Sequence, residues 1–444
     1  MNAGYHIIKE ASPALISILG LQILQNCNNY RLSNFTIKIK CEDGLLLHSC
    51  LTGELIMVTN ESDARQYLVE HWFYVLDGFD EKSILPNIKR LLKCLAKKRE
   101  PGYKTFEIIT TTSCNAQCYY CYESGFKHMA LSNDTAEKVI DFIKNNKRGS
   151  NVKIKWYGGE PLMNIKSIDI ISKGLLAKGV SFKSTMISNG LLFTSEVVSK
   201  AKDLWNLYNV RITLDGTEDN YNTIKNYKNY HGSAYQTVLK NIDSLLTNGI
   251  SVTIRLNIEK SNLEDSKKLL LSLCNKYKGN ALLDFMLRPL NNTTTNKQIE
   301  SIGKNRDSIL IEITNLKQKL FSEGFYVNCG KLTGLTLCTC IADSGQYIAI
   351  KPNGELAYCS SDFDNKTFGS VYSESPVIPF PELSSLPHEK KEICNDCPLY
   401  PICSPSKLCP ACIKPICNAT QKAYNIEDVK LTMKKLYRIY KLKN

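Results

Sequence analysis

The stretch Thr111-Thr112-Ser113-Cys114-Asn115-Ala116-Gln117-Cys118-Tyr119-Tyr120-Cys121 places three cysteines close together, directly after the strand-like run Thr105 to Ile109. Three thiolates in one loop can bind three irons of a cubane iron–sulfur cluster and leave the fourth iron without a protein ligand. An iron with an open position can bind a further molecule. This loop is therefore the first candidate for chemistry in the chain.

A second motif, Trp156-Tyr157-Gly158-Gly159-Glu160-Pro161, also ends a strand pattern. With the cysteine loop it resembles the radical S-adenosylmethionine (radical SAM) enzymes, in which an aromatic residue, here Tyr120, precedes the last cysteine. The resemblance implies that Cys114, Cys118 and Cys121 are catalytic ligands of a 4Fe-4S cluster. That cluster would bind S-adenosylmethionine (AdoMet) and, given one electron, produce a 5′-deoxyadenosyl radical. A zinc knuckle is the alternative, but it needs four ligands and no fourth is evident nearby.

Further strand ends resemble the family at Ile187–Gly190, Thr213–Gly216 and Arg255–Asn257. The resemblance implies AdoMet binding by Tyr120, Gly158, Gly159, Glu160, Asn189, Thr213 and Arg255. Glycines let a ligand approach the backbone closely, and Glu160 can accept hydrogen bonds from the AdoMet ammonium group. Thr213 is expected to bond the AdoMet carboxylate. Many members have His-Asp-x-x-Arg where this chain has Tyr221-Asn222-Thr223-Ile224-Lys225, so the role of that arginine does not carry over.

The segment from about residue 103 to 325 alternates strand and helix patterns. Strands are predicted to begin near Thr105, Lys153, Ser181, Val210, Val252 and Leu282. One helix is predicted over Ser132 to Asn146, with Ser132 as its amino-terminal cap. Six βα units in order imply a parallel sheet with helices outside it. With the resemblance, this predicts an α/β partial (β/α)6 barrel of the radical SAM type. Catalytic groups in such sheets collect at the carboxyl ends of the strands.

Residues 1–100 are predicted to form an amino-terminal α+β cap. Thr36 to Cys41 and Leu45 to Cys50 flank an Asp-Gly hairpin turn, Glu54 to Val58 is a third strand, and helices follow near Glu61 to Trp72 and Asp80 to Lys97. This order resembles the winged-helix elements that bind leader peptides in peptide-modifying enzymes, although many small α+β domains share it. The predicted domains are residues 1–100, 101–325 and 326–444.

Ten of the 18 cysteines lie between Cys329 and Cys417. Their spacing resembles a SPASM domain, the cysteine-rich iron–sulfur extension of many radical SAM enzymes that act on peptides. The resemblance implies two auxiliary clusters, one on Cys338, Cys340, Cys359 and Cys409, the other on Cys394, Cys397, Cys403 and either Cys417 or Cys412. Cys329 is an alternative to Cys338. A structural zinc site is the alternative for this segment, because Cys-x-x-Cys pairs also bind zinc.

The remaining cysteines are predicted to be small buried hydrophobic residues; they are Cys27, Cys41, Cys50, Cys94 and Cys274. The segment Lys351 to Gly354 is predicted to be the turn between two strands. A last helix is predicted over Ile426 to Lys441, with an apolar stripe that packs inward.

The formal net charge is +13, and three bound clusters would lower it to about +8. Because the lysines are scattered, a nucleic-acid partner is not expected. The apolar stretch Ala14 to Leu24 follows Lys9 and Glu10 and contains Gln22, so it is predicted to be a buried or partner-facing helix and not a secretion signal. No membrane span is expected. A cytoplasmic protein with reduced thiols is the resulting expectation.

The resemblance implies oxidative modification of a peptide or protein residue. The first hypothesis is maturation of a ribosomally made peptide through a thioether or carbon–carbon crosslink, with flavodoxin or ferredoxin as electron donor. The alternative is an anaerobic sulfatase maturase that makes formylglycine from Cys or Ser. That family usually has an aspartate directly after the cysteine that corresponds to Cys359, where this chain has Ser360. A zinc-rich binding protein without catalysis is a third, separate class.

Overall fold

The structure, a computed structural model, describes residues 4–22, 29–98, 101–290, 296–337, 344–360, 367–373, 392–403 and 417–444. Its backbone contacts divide the chain into two compact units. The terminal unit consists of Met1–Arg99, Cys329–Ser344 and Pro381–Asn444. The barrel unit consists of Glu100–Asn328 and Gly345–Phe380. The last quarter of the sequence therefore contributes segments to both units.

The regular elements of the described residues follow in chain order. They are β1 (Tyr5–Lys9), α1 (Pro13–Leu19), β2 (Tyr30–Leu32), β3 (Thr36–Cys41), β4 (Gly44–Ser49), β5 (Leu55–Val58), α2 (Glu61–Glu70), β6 (Tyr74–Leu76), α3 (Leu85–Lys97), β7 (Thr105–Thr111), α4 (Asn133–Asn146), β8 (Asn151–Gly158), α5 (Ile165–Ala177), β9 (Ser181–Ser188), α6 (Ser195–Asp203), β10 (Leu207–Thr213), α7 (Glu218–Lys225), α8 (Ala234–Thr247), β11 (Ser251–Ile258), α9 (Leu263–Tyr277), β12 (Leu283–Pro289), α10 (Asn296–Ser322), β13 (Tyr326–Val327), β14 (Tyr347–Ile350), β15 (Glu355–Ala357), β16 (Thr367–Ser370) and α11 (Ala419–Lys443).

The barrel unit is built on one ten-stranded sheet in the order β13-β12-β11-β10-β9-β8-β7-β14-β15-β16. Strands β7 to β12 are neighbours in chain order and run parallel, with helices in the connections. The predicted α/β fold with a mostly parallel central sheet is confirmed. Because the six strands share one direction, the turns that follow them meet at one edge of the sheet.

The sheet has a helix-covered face and an inner face. In β10, Val210 and Ile212 are fully buried. A Cβ added at Gly190 would lie 3.0 Å from Ile212 Cγ2 and 3.0 Å from Val238 Cγ1 of α8, so Ile212 faces the helices. Side chains alternate along a strand. Arg211 therefore points to the inner face.

Two further strands extend the barrel unit beyond β7. Strand β14 pairs parallel with β7, and β15 pairs antiparallel with β14. The predicted turn over Lys351 to Gly354 joins them: the Gly354 N–H donates to the Lys351 carbonyl over 2.9 Å, and Gly354 has φ of 84°. That left-handed conformation favours glycine, and the turn prediction is confirmed.

The terminal unit contains a four-stranded antiparallel sheet in the order β1-β5-β4-β3. The predicted hairpin is confirmed, with Cys41 opposite Gly44 at its end. One apolar core joins this sheet to the helices of the unit. Its buried members include Phe35, Leu46, Met57, Leu85, Ile88, Leu399 and Met433.

Several local predictions differ from the structure. The helix expected from Asp80 begins at Leu85, because Asp80 accepts the Lys82 N–H in a preceding turn over 3.0 Å. The last helix begins earlier than expected, at Ala419, because the Asn418 side chain accepts the Gln421 N–H over 2.8 Å and caps it. Cys94 is exposed, so its predicted burial is wrong.

The other cysteines of that group divide three ways. Cys50 and Cys274 are buried as predicted, Cys41 is half-buried, and Cys27 lies outside the described residues.

The apolar amino-terminal stretch forms the short helix α1, which ends before Gly20 at φ of 70°. Leu15 is its buried residue, and residues 23 and 24 of the predicted helix lie outside the described part of the chain. No described helix combines the length and apolar character needed to cross a membrane.

Candidate active site

The cysteine loop begins where β7 ends, at the edge of the sheet where the parallel strands finish. Cys114, Cys118 and Cys121 are all half-buried. The Cys121 N–H donates to the Cys118 carbonyl over 3.1 Å, which forms a turn between the last two cysteines. The Gln117 N–H donates to the backbone carbonyl of Lys225, at the end of α7, over 2.8 Å. The loop is thus held by contacts to its own turn and to a distant helix.

Burial favours the protonated thiol at two cysteines of the loop, Cys114 and Cys121. Burial raises the pKa of Cys114 to about 11, and the neighbouring Glu160, Cys118 and Cys121 charges add to that rise. Burial also raises the pKa of Cys121. Thiolates are the form that binds metal. A positively charged metal centre bound to Cys114 and Cys121 would lower their pKa and favour the thiolate form.

The loop fits a cluster better than it fits a single ion. Within the described residues, no three His, Cys, Asp or Glu side chains are grouped for one metal ion. Zinc would hold its sulfur ligands within about 4 Å of each other, since each Zn–S bond is about 2.3 Å. In a cubane each cysteine binds a different iron, so the sulfurs stand farther apart. Three thiols in one loop, with no fourth His, Cys, Asp or Glu ligand grouped with them among the described residues, suit the cubane.

The glycines after β8 allow the cysteine loop to pack closely. Gly158 has φ of 138°, and a Cβ there would overlap the Thr111 carbonyl oxygen. A Cβ on Gly159 would lie 2.7 Å from the carbonyl carbon of Ser113. The backbone N–H of Gly159 donates to the Thr111 carbonyl over 3.0 Å. In this structure the group that approaches these glycines is the start of the cysteine loop itself.

Glu160 is completely buried and hydrogen-bonded on both oxygens. It accepts from the N–H of Leu162 over 3.1 Å, the N–H of Asn189 over 2.7 Å and the Ser188 hydroxyl over 2.9 Å. Burial raises its pKa to about 7, although these hydrogen bonds act in the opposite direction. Glu160, which is predicted to accept hydrogen bonds from the AdoMet ammonium group, therefore joins the ends of β8 and β9 in this structure.

Asn189 follows β9 and reaches the cysteine loop. Its amide nitrogen donates to Asn115 Oδ1 over 2.7 Å and lies 3.9 Å from the Cys114 sulfur. Thr213 is the last residue of β10, and its partner Arg255 lies within β11, which continues to Ile258; both are half-buried. The Arg255 Nε donates to Asn257 Oδ1 over 2.9 Å. The structure places these AdoMet-binding candidates at the same edge as the cysteine loop.

Asp215, in the turn after β10, connects three parts of the site. One of its oxygens accepts the N–H of Asn257 over 3.1 Å and the side-chain amide of the same residue over 3.2 Å. The other accepts the Tyr120 hydroxyl and lies 3.1 Å from Lys225 Nζ. Both Asp215 and Lys225 are buried. The aromatic residue of the cysteine loop is therefore fixed by a buried ion pair.

Lys225 stands where many radical SAM proteins have the arginine of His-Asp-x-x-Arg. Burial alone would lower the pKa of Lys225, but the Asp215 carboxylate outweighs burial and holds that pKa well above the usual value. The ion pair between Lys225 and Asp215 is not among the contacts predicted from the sequence. The one indication of it in the sequence is that Lys225 keeps a positive charge at the position of the arginine.

The auxiliary cysteines divide between the described and undescribed residues. Cys394, Cys397, Cys403 and Cys417 are neighbours in the terminal unit, where burial raises the pKa of Cys403 to about 11 and the other three thiols add to the rise. Cys359 follows β15 in the barrel unit and is half-buried, as is Cys329 of the terminal unit. Cys338, Cys340, Cys409 and Cys412 lie outside the described residues.

Residues 108–272 match the family model of the radical SAM superfamily. The chain contains a radical SAM domain. The match runs from β7 into α9, so it includes the cysteine loop, the Gly158-Gly159 turn and Asp215. The predicted family resemblance is confirmed.

Two curated relatives are similar to this chain in sequence over different lengths. An uncharacterized protein of Methanocaldococcus jannaschii is 28% identical over 244 residues, which are 52% of this chain and 81% of that protein. The serine-type anaerobic sulfatase-maturating enzyme of Bacteroides thetaiotaomicron is 26% identical over 165 residues, which are 34% of this chain. The aligned residues span only 38% of that enzyme's length.

Solved structures of the anaerobic sulfatase maturase anSMEcpe share the fold. The native protein with bound AdoMet gives a TM-score of 0.58 at 14% identity, over 77% of this chain and 100% of that chain. The complex with AdoMet and the Kp18Cys peptide gives 0.54 at 15% identity, over 76% of this chain and 98% of that chain. At such identities the likeness shows the fold and not the reaction.

Replacement of Lys225 by methionine is expected to leave the buried Asp215 carboxylate without its cation. Removing one partner of a buried ion pair costs about 3–5 kcal/mol, so Lys225→Met should unfold at clearly lower urea concentration under anaerobic conditions. Lys225→Arg, which keeps the charge, is the matched control and should lose far less. The double variant Asp215→Asn with Lys225→Met should recover most of the loss. Equal urea midpoints for Lys225→Met and the wild type would contradict the pairing.

Replacement of Gly159 by alanine is expected to push the start of the cysteine loop away from β8. Overpacking of this kind costs about 1–3 kcal/mol, and the displaced loop should bind less iron after anaerobic reconstitution. Iron per chain and the thermal unfolding temperature are the measurements. Ser113→Ala is the control, because it leaves the approached carbonyl in place. Unchanged iron content in Gly159→Ala would show that the close packing does not position the loop.

Proposed function

We propose that this chain cleaves AdoMet reductively at a 4Fe-4S cluster bound by Cys114, Cys118 and Cys121 and uses the resulting radical to oxidise a residue of a peptide or protein. The observation that carries the proposal is the three-cysteine loop, fixed at the carboxyl edge of the parallel sheet inside a radical SAM domain. When bound, the cluster and AdoMet supply the 5′-deoxyadenosyl radical that the family resemblance implies.

The protein's own residues position the cysteine loop and bind AdoMet. Gly158 and Gly159 let the loop pack against β8, and Asp215 with Lys225 fixes the Tyr120 ring. The side chains of Asn189, Thr213 and Arg255 supply polar groups for AdoMet at the same edge. Preorganisation of this kind limits the reorganisation needed when substrate and cofactor meet.

Maturation of a ribosomally made peptide, through a thioether or carbon–carbon crosslink, is the proposed reaction. Three observations support a peptide substrate. A solved protein of the same fold binds a peptide. The terminal unit has an antiparallel sheet followed by helices, the order that resembles leader-peptide domains. Four thiols cluster in the same unit. Flavodoxin or ferredoxin is the proposed electron donor.

The grouped thiols of the terminal unit are the proposed ligands of one auxiliary cluster. Cys394, Cys397, Cys403 and Cys417 form the set, with Cys412 as the alternative to the last. Cys359 is proposed for the other cluster, with Cys338 or Cys329, Cys340 and Cys409. Such clusters would accept the second electron of the oxidation.

Sulfatase maturation is the second candidate, favoured by the sequence likeness to the sulfatase-maturating enzyme of Bacteroides thetaiotaomicron. Ser360, where that family usually has an aspartate, speaks against it. Incubation with a sulfatase-motif peptide and trapping of the product with a hydrazide would decide between the two. A trapped aldehyde supports formylglycine formation, whereas a crosslinked product from a short precursor encoded beside the gene supports peptide maturation.

Replacement of Cys118 by alanine is expected to remove one cluster and all AdoMet cleavage. Iron should fall from about twelve to about eight per chain, and dithionite should release no 5′-deoxyadenosine. Cys94→Ala is the matched control, because Cys94 is exposed and belongs to none of the proposed ligand sets. Nucleoside release by Cys118→Ala at the wild-type rate would overturn the proposed function.

Joint replacement of Cys394 and Cys397 by alanine tests the auxiliary cluster separately. Iron should again fall to about eight per chain. Release of 5′-deoxyadenosine with dithionite should continue, because the first cluster is intact, while modification of the peptide stops. Mass spectrometry of the peptide is the measurement. Full modification by the double variant would remove the proposed role of this cluster.

A further inference from the structure

The grouped thiols of the terminal unit, Cys394, Cys397, Cys403 and Cys417, lie beside α3 and α11. The Cys403 N–H donates to the Leu399 carbonyl over 2.9 Å, and Leu399 belongs to the apolar core that includes residues of both helices. Among the described residues, no three of these thiols form a site for one metal ion. In a cubane cluster each of four thiolates binds its own iron. The four thiols therefore match the ligand number of a 4Fe-4S cluster.

Two lysines hold the backbone at the first of these cysteines. Lys82, just before α3, donates from Nζ to the Cys394 carbonyl over 3.1 Å. The same ammonium group lies 4.9 Å from the centroid of the Tyr400 ring. Lys422, in the first turn of α11, donates from Nζ to the Ile393 carbonyl over 3.2 Å. Two half-buried ammonium groups are thus fixed on adjacent peptide units at a proposed cluster ligand.

Lysines also act on the sulfur atoms themselves. Burial raises the pKa of Cys397, and Lys422 opposes that rise more strongly than either neighbouring thiol adds to it. Burial likewise raises the pKa of Cys403, whereas Lys89 of α3 lowers it. The effect is reciprocal, since the Cys403 charge raises the pKa of Lys89 against the effect of burial. Three half-buried lysines, counting Lys82, therefore stand around the grouped thiols.

Two carboxylates of the same segment carry the opposite charge. Glu392 and Asp396 are both exposed, so water and dissolved salt screen them. The three lysines are half-buried, where the effective dielectric constant is lower and a charge acts more strongly on its neighbours. We therefore expect the lysines to dominate the electrostatic potential at the grouped thiols.

We propose that Lys82, Lys89 and Lys422 raise the reduction potential of the cluster that the grouped thiols bind. A 4Fe-4S cluster in its 2+ state with four thiolates has a net charge of about −2, and uptake of one electron makes it about −3. Nearby positive charges stabilise the reduced state more than the oxidised state. The lysines thus make this cluster a better electron acceptor. This inference rests on the proposed function, since it specifies a property of the proposed auxiliary cluster.

A redox titration of the anaerobically reconstituted holoprotein, followed by electron paramagnetic resonance, tests the inference. The signal of this cluster is the one that is absent from the joint variant Cys394→Ala with Cys397→Ala. Lys89→Met is the principal variant, because Lys89 holds neither of the two backbone carbonyls. At a fixed potential its ratio of reduced to oxidised cluster should fall about tenfold. The midpoint potential should accordingly become more negative by about 59 mV.

Further variants separate the local charge from other effects. Lys82→Met and Lys422→Met should shift the midpoint in the same direction. Lys89→Arg keeps the charge and should retain the wild-type midpoint. Lys98→Met is the matched control, because Lys98 is an exposed lysine at the carboxyl end of the same helix and should leave the midpoint unchanged. Iron content and circular dichroism show whether each variant is folded and loaded.

An unchanged midpoint in Lys89→Met and Lys422→Met would overturn the inference. So would an equal shift in Lys98→Met, which would indicate a general effect of net charge. If Lys422→Met binds about four fewer irons, Lys89→Met alone decides.

Failure of the proposed cluster is distinguished from failure of this inference by the joint cysteine variant. If the wild type shows no signal that the joint variant lacks, the proposed auxiliary cluster is rejected, and this inference with it. A signal that is present, but has the same midpoint in the wild type and in the lysine variants, rejects this inference alone. Release of 5′-deoxyadenosine tests the first cluster independently.

Discussion

One buried carboxylate, that of Asp215, is the contact on which the order of the site depends. It accepts hydrogen bonds from the backbone and side chain of Asn257 in β11, and from Tyr120 in the cysteine loop, and it pairs with Lys225 at the end of α7. An ionised carboxylate inside a protein is tolerated only when it is fully paired. These four groups therefore keep their places together, and the sheet, the loop and the helix are fixed by the same charge.

The placement of the motifs at the ends of strands could be predicted from the sequence, because it rests on local properties. Period-two patterns, glycine turns and a serine cap at Ser132 are each visible within a few residues. The Ser132 hydroxyl accepts the Thr135 N–H over 3.1 Å, as an amino-terminal cap does. The spacing of Cys114, Cys118 and Cys121 can also be recognised within a few residues of sequence. These signals sufficed for the order of elements in the barrel unit and for the family.

Contacts between distant segments could not be predicted in the same way. The sequence shows that residues 158 and 159 are glycines, but not that the cysteine loop would be the group that packs on them. The partnership of Lys225 with Asp215 depends on how α7 returns toward β10, and the pairing of β14 with β7 joins strands more than two hundred residues apart. Such pairings leave no periodic pattern.

The backbone of the cysteine loop is bonded to a segment about one hundred residues later in the chain. The Gln117 N–H is held by the Lys225 carbonyl, and the carbonyl of Asn115 accepts the Lys228 N–H over 2.9 Å. Both bonds join the backbone of the cysteine loop to the segment at and just after the carboxyl end of α7. A substitution that shifts this segment is therefore expected to move the loop as well, even where it touches none of the three cysteines.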